Sequence, residues 1–194
     1  MANKSAARKN RLRIIAGQWR SRQLLFEDLP ELRPTPARVR ETLFNWLQYD
    51  IAASRCLDLF AGSGALGFEA ASRGARRVLQ VERNAAACSH LRRNAAALQA
   101  RQIEIVEQDV FTFLNGSPEP FSVVFLDPPF TQNLLLPCCQ ILEERGWLAE
   151  GAKIYLEAET GLSLLGLPQN WRQLKSKTAG EVAYRLYARS MQDS

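Results

Sequence analysis

Apolar runs of strand length recur along the chain from residue 55 onward, at 55–60, 77–82, 102–107, 121–127 and 152–158. Stretches with helical patterning or high alanine content lie between them, at 65–73, 84–98 and 132–146. Two more strands are predicted near the end, at 171–176 and 182–189. Strands that alternate with helices predict a doubly wound α/β fold, with a mostly parallel sheet of seven strands and helices on both faces.

The first forty residues follow a different pattern. Short apolar and basic stretches alternate over 11–26 around Gly17, which predicts a β-hairpin with Arg and Trp side chains on one face. The segment Pro34-Thr35-Pro36 predicts a turn into a helix, with Thr35 as the N-cap and Pro36 at the first helical position. We therefore expect a basic arm and hairpin over 1–30 and one larger domain over 31–194.

Composition narrows the class of protein. No apolar run approaches the length of about 18 residues that spans a bilayer, and the N-terminus shows charge without an apolar signal core. A soluble cytoplasmic protein is expected. The four cysteines, Cys56, Cys88, Cys138 and Cys139, form no CxxC pair, and His90 is the single histidine. This predicts buried, reduced thiols and no metal site.

Charge is unevenly distributed along the chain. Residues 1–40 carry ten Lys/Arg and three Asp/Glu, whereas the remainder carries fifteen Lys/Arg and seventeen Asp/Glu. A basic end on an otherwise balanced protein points to a partner that bears phosphate. A solvated tail is the alternative for 1–10, and recognition of that partner would then depend on the hairpin and on Arg33, Arg38 and Arg40.

A glycine-rich turn follows the first strand of the larger domain. Residues 57–67 read LDLFAGSGALG, in which Gly62 and Gly64 let the backbone approach a ligand. The same segment also spells G-x-G-x-x-G, so the turn alone fits either S-adenosylmethionine or a dinucleotide. Asp58, four residues before Gly62, favours S-adenosylmethionine, because its carboxylate can face an ammonium group but would repel a pyrophosphate.

Two further acids end the next two strands. Glu82 can accept hydrogen bonds from ribose hydroxyls, and Asp109 can accept one from an adenine amino group while the neighbouring amide of Val110 donates to the ring. Each acid taken singly is equally well explained as a strand-end cap. We assign the cofactor site as follows: Asp58, Phe60, Gly62, Gly64, Glu82, Arg83, Asp109 and Val110.

The fourth strand of this domain ends in Asp127-Pro128-Pro129-Phe130. An exocyclic base nitrogen is a poor nucleophile because its lone pair is delocalised into the ring. Acceptors such as the Asp127 carboxylate and the Pro128 carbonyl can hold its two hydrogens while it meets a methyl group. Phe130 can stack on the base. We predict these four residues as the catalytic set.

The motif D/N-P-P-F/Y marks amino methyltransferases, and five blocks extend the resemblance over most of the chain: RIIAGQWRSRQL (13–24), RPTPARVRETLFNWL (33–47), LDLFAGSGALGFEAASRGA (57–75), DPPF (127–130) and AGEVAYRLY (179–187). Together they resemble the RsmD family of bacterial 16S ribosomal RNA guanine-N2 methyltransferases. The resemblance implies a small hairpin joined to a Rossmann-like domain, S-adenosylmethionine as donor, and a guanosine of the assembled small subunit as acceptor. Ala16 departs from the glycine expected before Gly17.

The resemblance also implies that Arg33, Thr35 and Arg38 lie beside the active site. With Arg13, Arg20 and Arg22 of the hairpin they form the predicted substrate-binding set. The expected partner is 16S rRNA in the small ribosomal subunit, bound by a monomer without membrane or metal. Alternative functions are methylation of adenine N6 in DNA, an NAD(P)-dependent oxidoreductase and an RNA-binding module without catalysis.

Overall fold

Seven strands of the larger domain form one sheet, and two N-terminal strands form a separate hairpin. The structure is a computed structural model that describes residues 9–27 and 34–190. Its elements in chain order are β1 (Lys9–Arg13), β2 (Gln23–Glu27), α1 (Ala37–Trp46), β3 (Arg55–Asp58), α2 (Ala65–Ser72), β4 (Arg77–Glu82), α3 (Ala85–Leu98), β5 (Ile103–Glu107), α4 (Val110–Leu114), β6 (Phe121–Leu126), a 3-10 turn (Phe130–Gln132), α5 (Leu135–Glu144), β7 (Leu148–Glu159), β8 (Trp171–Ala179) and β9 (Val182–Arg189).

The strand order in the sheet is β5-β4-β3-β6-β7-β9-β8. The five strands from β5 to β7 are parallel, whereas β9 runs antiparallel to both of its neighbours. The predicted mostly parallel, seven-stranded sheet is therefore confirmed. The chain leaves β3 toward β4 on one side and later returns to β6 on the other, so the order reverses between β3 and β6. In doubly wound folds such a reversal opens a ligand-binding crevice at the carboxyl ends of the strands.

Both faces of the sheet are covered, as the apolar strand runs predict. Side chains that alternate along each strand enter two clusters. Cys56, Val78 and Phe125 pack with α1, α2 and α3 on one face, while Leu57 and Val124 pack with α4 and α5 on the other. The short helix α4 was not predicted, because five residues are too few to show helical periodicity.

Helix α5 begins later than the sequence pattern indicates. The predicted helix over 132–146 is divided into the 3-10 turn and α5, and Asn133 lies between them with a φ of +50°. Strand β7 begins earlier than predicted, at Leu148, and its pairing with β6 is irregular between Phe121 and Val123. The irregular start explains why alternation is hard to read before residue 152.

The N-terminal hairpin packs on the larger domain through one face. Strands β1 and β2 pair antiparallel, and Leu12, Leu24 and Phe26 join the same apolar cluster as α1 and α2. The prediction that Arg and Trp share a face is wrong, because Trp19 is buried and Arg11 is exposed. The predicted boundary between 30 and 31 lies outside the described residues.

The connection between β1 and β2 is fastened to helix α2. The Glu69 carboxylate accepts hydrogen bonds from the backbone amides of Ile15 at 2.8 Å and Ala16 at 3.0 Å. Gly17 has a φ of +82°, and a Cβ atom there would lie 1.9 Å from the Ser72 carbonyl oxygen. Only glycine fits this turn, and it forms with Ala16 as the preceding residue.

The four cysteines are buried and none forms a disulfide. Burial raises the pKa of the Cys56 thiol to about 12, as expected for an inert structural cysteine. Within residues 9–27 and 34–190, we find no group of three or more His, Cys, Asp or Glu side chains that could hold a metal ion. Among the helices of this described part, none has the length and apolar content to cross a membrane.

Candidate active site

The glycine-rich turn after β3 has the conformation that the sequence predicts. Gly62 and Gly64 have φ values of +51° and +79°, and Gly64 occupies the N-cap position of α2. A Cβ atom at Gly64 would lie 2.6 Å from side-chain atoms of both Leu91 and Phe68. The third glycine of the G-x-G-x-x-G pattern has another role: a Cβ at Gly67 would lie 2.4 Å from Gln80 Nε2. Gly67 therefore serves the packing of helix on sheet.

Asp58 ends β3 beneath this turn and is 2% exposed. Burial, and to a lesser extent the charge of Asp127, raises the pKa of its carboxyl to about 7, against the opposing effect of Gln80 and of the amides of Gly67 and Phe60. The Gln80 side-chain amide is itself buried without a hydrogen-bond partner of good geometry. A buried carboxyl is suited to bind a cationic ligand group such as an ammonium.

Glu82 fixes two turns through its two oxygen atoms. Its Oε2 accepts from the Gly62 amide at 2.9 Å, and its Oε1 accepts from the Asn84 amide at 2.8 Å. Each carboxylate oxygen retains a second lone pair, which leaves capacity for a ribose hydroxyl. The sequence left open whether Glu82 is a cap or a ligand, and its contacts support the first role and permit the second.

Asp109 caps helix α4. Its Oδ1 accepts from the amides of Phe111 at 2.9 Å and Thr112 at 3.2 Å, so the predicted alternative of a helix cap is present.

The other predicted cofactor residues differ in exposure. Val110 is buried at the first position of α4, Phe60 is half-buried, and Arg83 is exposed beyond β4. These residues follow β5, β3 and β4 respectively, and so lie on the carboxyl side of neighbouring strands.

Asp127, Pro128, Pro129 and Phe130 follow β6 at the same edge of the sheet, on the other side of the reversal. The Thr35 hydroxyl donates to Asp127 Oδ2 at 3.3 Å, which brings together two segments that lie 92 residues apart. Thr35 is not the N-cap of α1, as we predicted, because Pro36 occupies that position without a side-chain cap bond. Phe130 is 36% exposed.

Of the remaining substrate-binding predictions, Arg38 is exposed in the first turn of α1, and Arg13, Arg20 and Arg22 are exposed on the hairpin and its connection. Arg33 lies outside the described residues.

Arg40 is not a surface contact for RNA, contrary to the expectation from its charge. It is 2% exposed, and its Nε and Nη2 donate to the carbonyl oxygens of Thr35 at 3.2 Å and Arg13 at 3.1 Å. Its Nη1 lies 3.5 Å from Glu69 Oε2. Burial lowers the Arg40 pKa and the Glu69 charge opposes that effect. Arg40 therefore joins the hairpin, α2 and the loop that carries Thr35 to Asp127.

Glu157 is a site residue that the sequence analysis missed. It is 5% exposed near the end of β7, and the Tyr155 hydroxyl donates to its Oε1 at 2.8 Å. Burial, and secondly the Asp127 charge, raise the pKa of Glu157 to about 8, while burial raises that of Asp127 to about 6. The available signal was a glutamate inside the apolar run IYLEA, because charged side chains are rarely buried in a strand without a partner.

Two concavities differ in chemistry. A small cleft of about 60 Å³ lies between Pro128–Phe130 and the end of β7, where Glu157, Leu134 and Leu162 contribute to its lining. A larger hollow of about 580 Å³ lies at the opposite end of the strands. Its Arg55 and Arg77 bind Glu119, so it is an ion-pair network at the surface. The small cleft adjoins the predicted catalytic residues.

The chain is similar to known methyltransferases. Residues 12–188 match the family model described as Conserved hypothetical protein 95. The Ribosomal RNA small subunit methyltransferase D of Escherichia coli (strain K12) is 48% identical over 181 residues, which are 93% of this chain and 91% of that protein. The structure of the putative methyltransferase yhhF from Escherichia coli superimposes with a TM-score of 0.86 at 46% identity, and covers 94% of this chain and 100% of its own.

A more distant structure shares the fold alone. An RNA methyltransferase from Salinibacter ruber, in complex with S-adenosyl-L-homocysteine, has a TM-score of 0.62 at 19% identity and covers 84% of this chain and 97% of its own.

Proposed function

The chain belongs to the RsmD family of ribosomal RNA methyltransferases, and on that premise we propose that it methylates the exocyclic N2 of a guanine in 16S rRNA of the small ribosomal subunit. The observation that carries the proposal is the meeting of the Asp127-Pro128-Pro129-Phe130 turn with the glycine-rich turn and Asp58 across the β3–β6 reversal. The electrostatic coupling of Asp58 to Asp127 supports a donor site and an acceptor site that adjoin. We propose that the protein acts as a monomer.

The residues at the glycine-rich edge fit S-adenosylmethionine as the proposed donor. When bound, it supplies a methyl group on a positively charged sulfur. Asp58 offers a buried carboxyl to its ammonium group, Glu82 offers lone pairs to the ribose, and Asp109 lies beyond β5 for the adenine amino group. The complex of the Salinibacter ruber neighbour with S-adenosyl-L-homocysteine is consistent with this choice.

The proposed acceptor site is the corner after β6. The Asp127 carboxylate and the Pro128 carbonyl accept the two hydrogens of the target amine, which orients its lone pair toward the methyl group. Phe130, at the mouth of the small cleft, stacks on the base. The stacking requires an unpaired base, since a base inside a helix already stacks on its neighbours.

Methylation of purified small ribosomal subunits with a labelled methyl donor tests the function. We expect label in 16S rRNA and, after nuclease digestion and mass analysis, in N2-methylguanosine at one position. Duplex DNA serves as the competing substrate. Label in adenine N6 of the DNA would instead support the alternative methyltransferase, and RNA binding without turnover would support a module without catalysis. The oxidoreductase alternative is weakened because Gly67 packs against Gln80, which accounts for the third glycine of the dinucleotide pattern.

Glu82→Ala is expected to weaken S-adenosylmethionine binding by about 1.5–3 kcal/mol, the range for a hydrogen bond to a charged group. The variant loses the proposed ribose acceptor and also releases the Gly62 amide. Isothermal titration calorimetry measures the affinity. Glu104→Ala on the neighbouring strand, at the other end of the sheet, is the control and should bind normally. Normal affinity in Glu82→Ala, with a lower melting temperature, would make Glu82 a structural cap only.

Replacing Arg13, Arg20 and Arg22 together by alanine is expected to reduce the dependence of subunit binding on salt. The plot of log affinity against log salt should flatten by up to about 2 units, at roughly 0.7 per phosphate contact. A matched triple variant replaces Arg172, Lys175 and Lys177, which are exposed on the edge strand β8. Equal effects of the two triple variants would show that net charge alone matters and that the hairpin has no specific role.

The substitutions leave Leu12, Leu24 and Phe26 in place, so the hairpin keeps its apolar contacts. Deleting residues 1–13 would be a poorer experiment, because it removes the whole of β1.

A further inference from the structure

Two carboxyl side chains lie at the proposed acceptor site after β6, which we call the catalytic corner: Asp127 and Glu157. Asp127 and Glu157 lie one residue beyond Leu126 and Leu156, which are directly paired in the parallel strands β6 and β7. The Thr35 hydroxyl donates to Asp127 at 3.3 Å and also lowers the pKa of Glu157, so it interacts with both carboxyls. Tyr155 donates to the other side of Glu157 at 2.8 Å.

In the part of the chain that the structure describes, the other charged groups near the pair do not neutralise it. On β3, Asp58 is a third carboxyl and interacts with Asp127. On β9, the residue paired with Glu157 is Tyr184, which contributes electrostatically to the raised pKa of Tyr155. The nearby cation of the α1 region is Arg40, but its donors are directed to Thr35 O, Arg13 O and Glu69. Two buried carboxylates at paired strand positions, with no cation bound to them among residues 9–27 and 34–190, cannot both ionise at low cost.

We propose that Glu157 is a positioning residue that acts through Asp127: the two carboxyls, bridged by Thr35, hold one proton between them at rest and take up a second when the target amine loses its proton. The inference deepens the proposed methyl transfer and rests on it. At rest Glu157 carries the shared proton, so Asp127 remains the ionised acceptor that faces the amine. Burial and the higher pKa of Glu157 support this order of protonation.

The step balances in atoms and charge. The amine lone pair forms the new nitrogen–carbon bond, the carbon–sulfur bond breaks, and its electron pair remains on sulfur, which becomes neutral. The nitrogen then releases one proton to Asp127. The carboxyl pair changes from one negative charge to none as the sulfonium charge disappears, so the buried corner gains no net charge. A pair that was doubly ionised would leave one charge without a partner after transfer. The extra proton returns to water before the next turnover.

Carboxyl 13C NMR titration of the full-length protein without substrate tests the pair directly. We expect one midpoint near pH 8, absent from Glu157→Gln, and one near pH 6 that belongs to Asp127. In Asp127→Asn the Glu157 midpoint should move down by about one pH unit or more, because the like charge is gone. Glu150→Gln, on the exposed start of the same strand, is the control and should leave both midpoints in place.

The pH dependence of turnover and of stability gives a second test. The acid limb of the kcat/KM profile should lie near pH 6 in the wild type and in Glu157→Gln, which keeps a neutral partner. In Glu157→Ala it should move to lower pH, because water enters and solvates Asp127. The contribution of Glu157 to the melting temperature should be complete below pH 4.5, the ordinary pKa of this carboxyl, and should be lost as pH rises through 8, since a raised folded-state pKa stabilises only the protonated form. Glu157→Gln should remove the upper part of that loss.

The outcomes separate the inference from the function on which it rests. The pair is refuted if Glu157 titrates in the ordinary range of glutamate, or if Asp127→Asn leaves the Glu157 midpoint unchanged. Activity of the wild-type protein would then still support the methyltransferase. If the midpoints behave as expected but the wild-type protein does not methylate RNA, the proposed function fails and the role of the pair fails with it.

Discussion

Asp127→Ala is expected to lower the rate of methyl transfer by about 10²–10⁴-fold, the range for loss of a positioned proton acceptor. The variant loses the proposed acceptor for the target amine, which is also the group proposed to take its proton. Binding of S-adenosylmethionine should stay within a few fold, because Asp127 belongs to the turn after β6, whereas the proposed cofactor residues lie at or after the ends of β3, β4 and β5. Single-turnover transfer to small subunits gives the rate, and calorimetry gives the affinity.

The fold should tolerate the Asp127→Ala substitution. Asp127 lies near Glu157 and Asp58, and its removal relieves repulsion that raises the pKa of both. Asp50→Ala is the matched control, since Asp50 forms an ion pair with Lys153 at 3.2 Å outside the catalytic corner. We expect normal turnover from that control. Near-normal turnover in Asp127→Ala would show that Asp127 is not catalytic. The Pro128 carbonyl would then be the one remaining proposed acceptor for the target amine.

Glu69→Ala is expected to reduce the free energy of unfolding by about 3–5 kcal/mol, the cost of removing one partner from a buried ion pair. Glu69 is completely buried in α2 and binds Arg40, Arg73 and the amides of Ile15 and Ala16. The substitution leaves the Arg40 charge and two amides without their acceptor. Urea unfolding followed by fluorescence measures the change.

Two further variants show whether the loss comes from the buried charge. Glu104→Ala also removes an ion pair with an arginine, but the Glu104 side chain is 54% exposed, so we expect a loss below about 1 kcal/mol. Arg40→Met in the Glu69→Ala background removes the unpaired charge and should recover part of the stability. A loss in Glu69→Ala no larger than that in Glu104→Ala would contradict the role of this network.

The sequence by itself determined the fold and the strand ends at which the proposed cofactor residues lie, because the signals are local. Alternating strands and helices predicted the seven-stranded sheet, and the glycines of the turn after β3 have the positive φ values that their pattern indicates. Asp58 and Asp127 occupy strand ends, and parallel strands bring such ends to one edge of a sheet. Spacing and residue type were therefore sufficient to place them.

Local patterns could not reveal partners that are distant in the chain. Thr35 has the features of an N-cap in sequence, yet its hydroxyl reaches Asp127. Arg40 has the charge of an RNA contact, but it is buried against Glu69 because the hairpin connection folds onto α2. Glu157 belongs to an apolar run, and only the pairing of β6 with β7 places it beside Asp127.

The physical reason is the cost of burying charge. A charged side chain enters the interior only where another segment supplies its hydrogen bonds, and that segment is chosen by tertiary packing. Arg40 and Glu69 lie 29 residues apart in the chain. They meet because both side chains bind backbone groups of the hairpin and its connection. The sequence thus determined which elements form and which strand ends carry acids, whereas the packing of the hairpin, α1 and β7 on the sheet decided which charges meet.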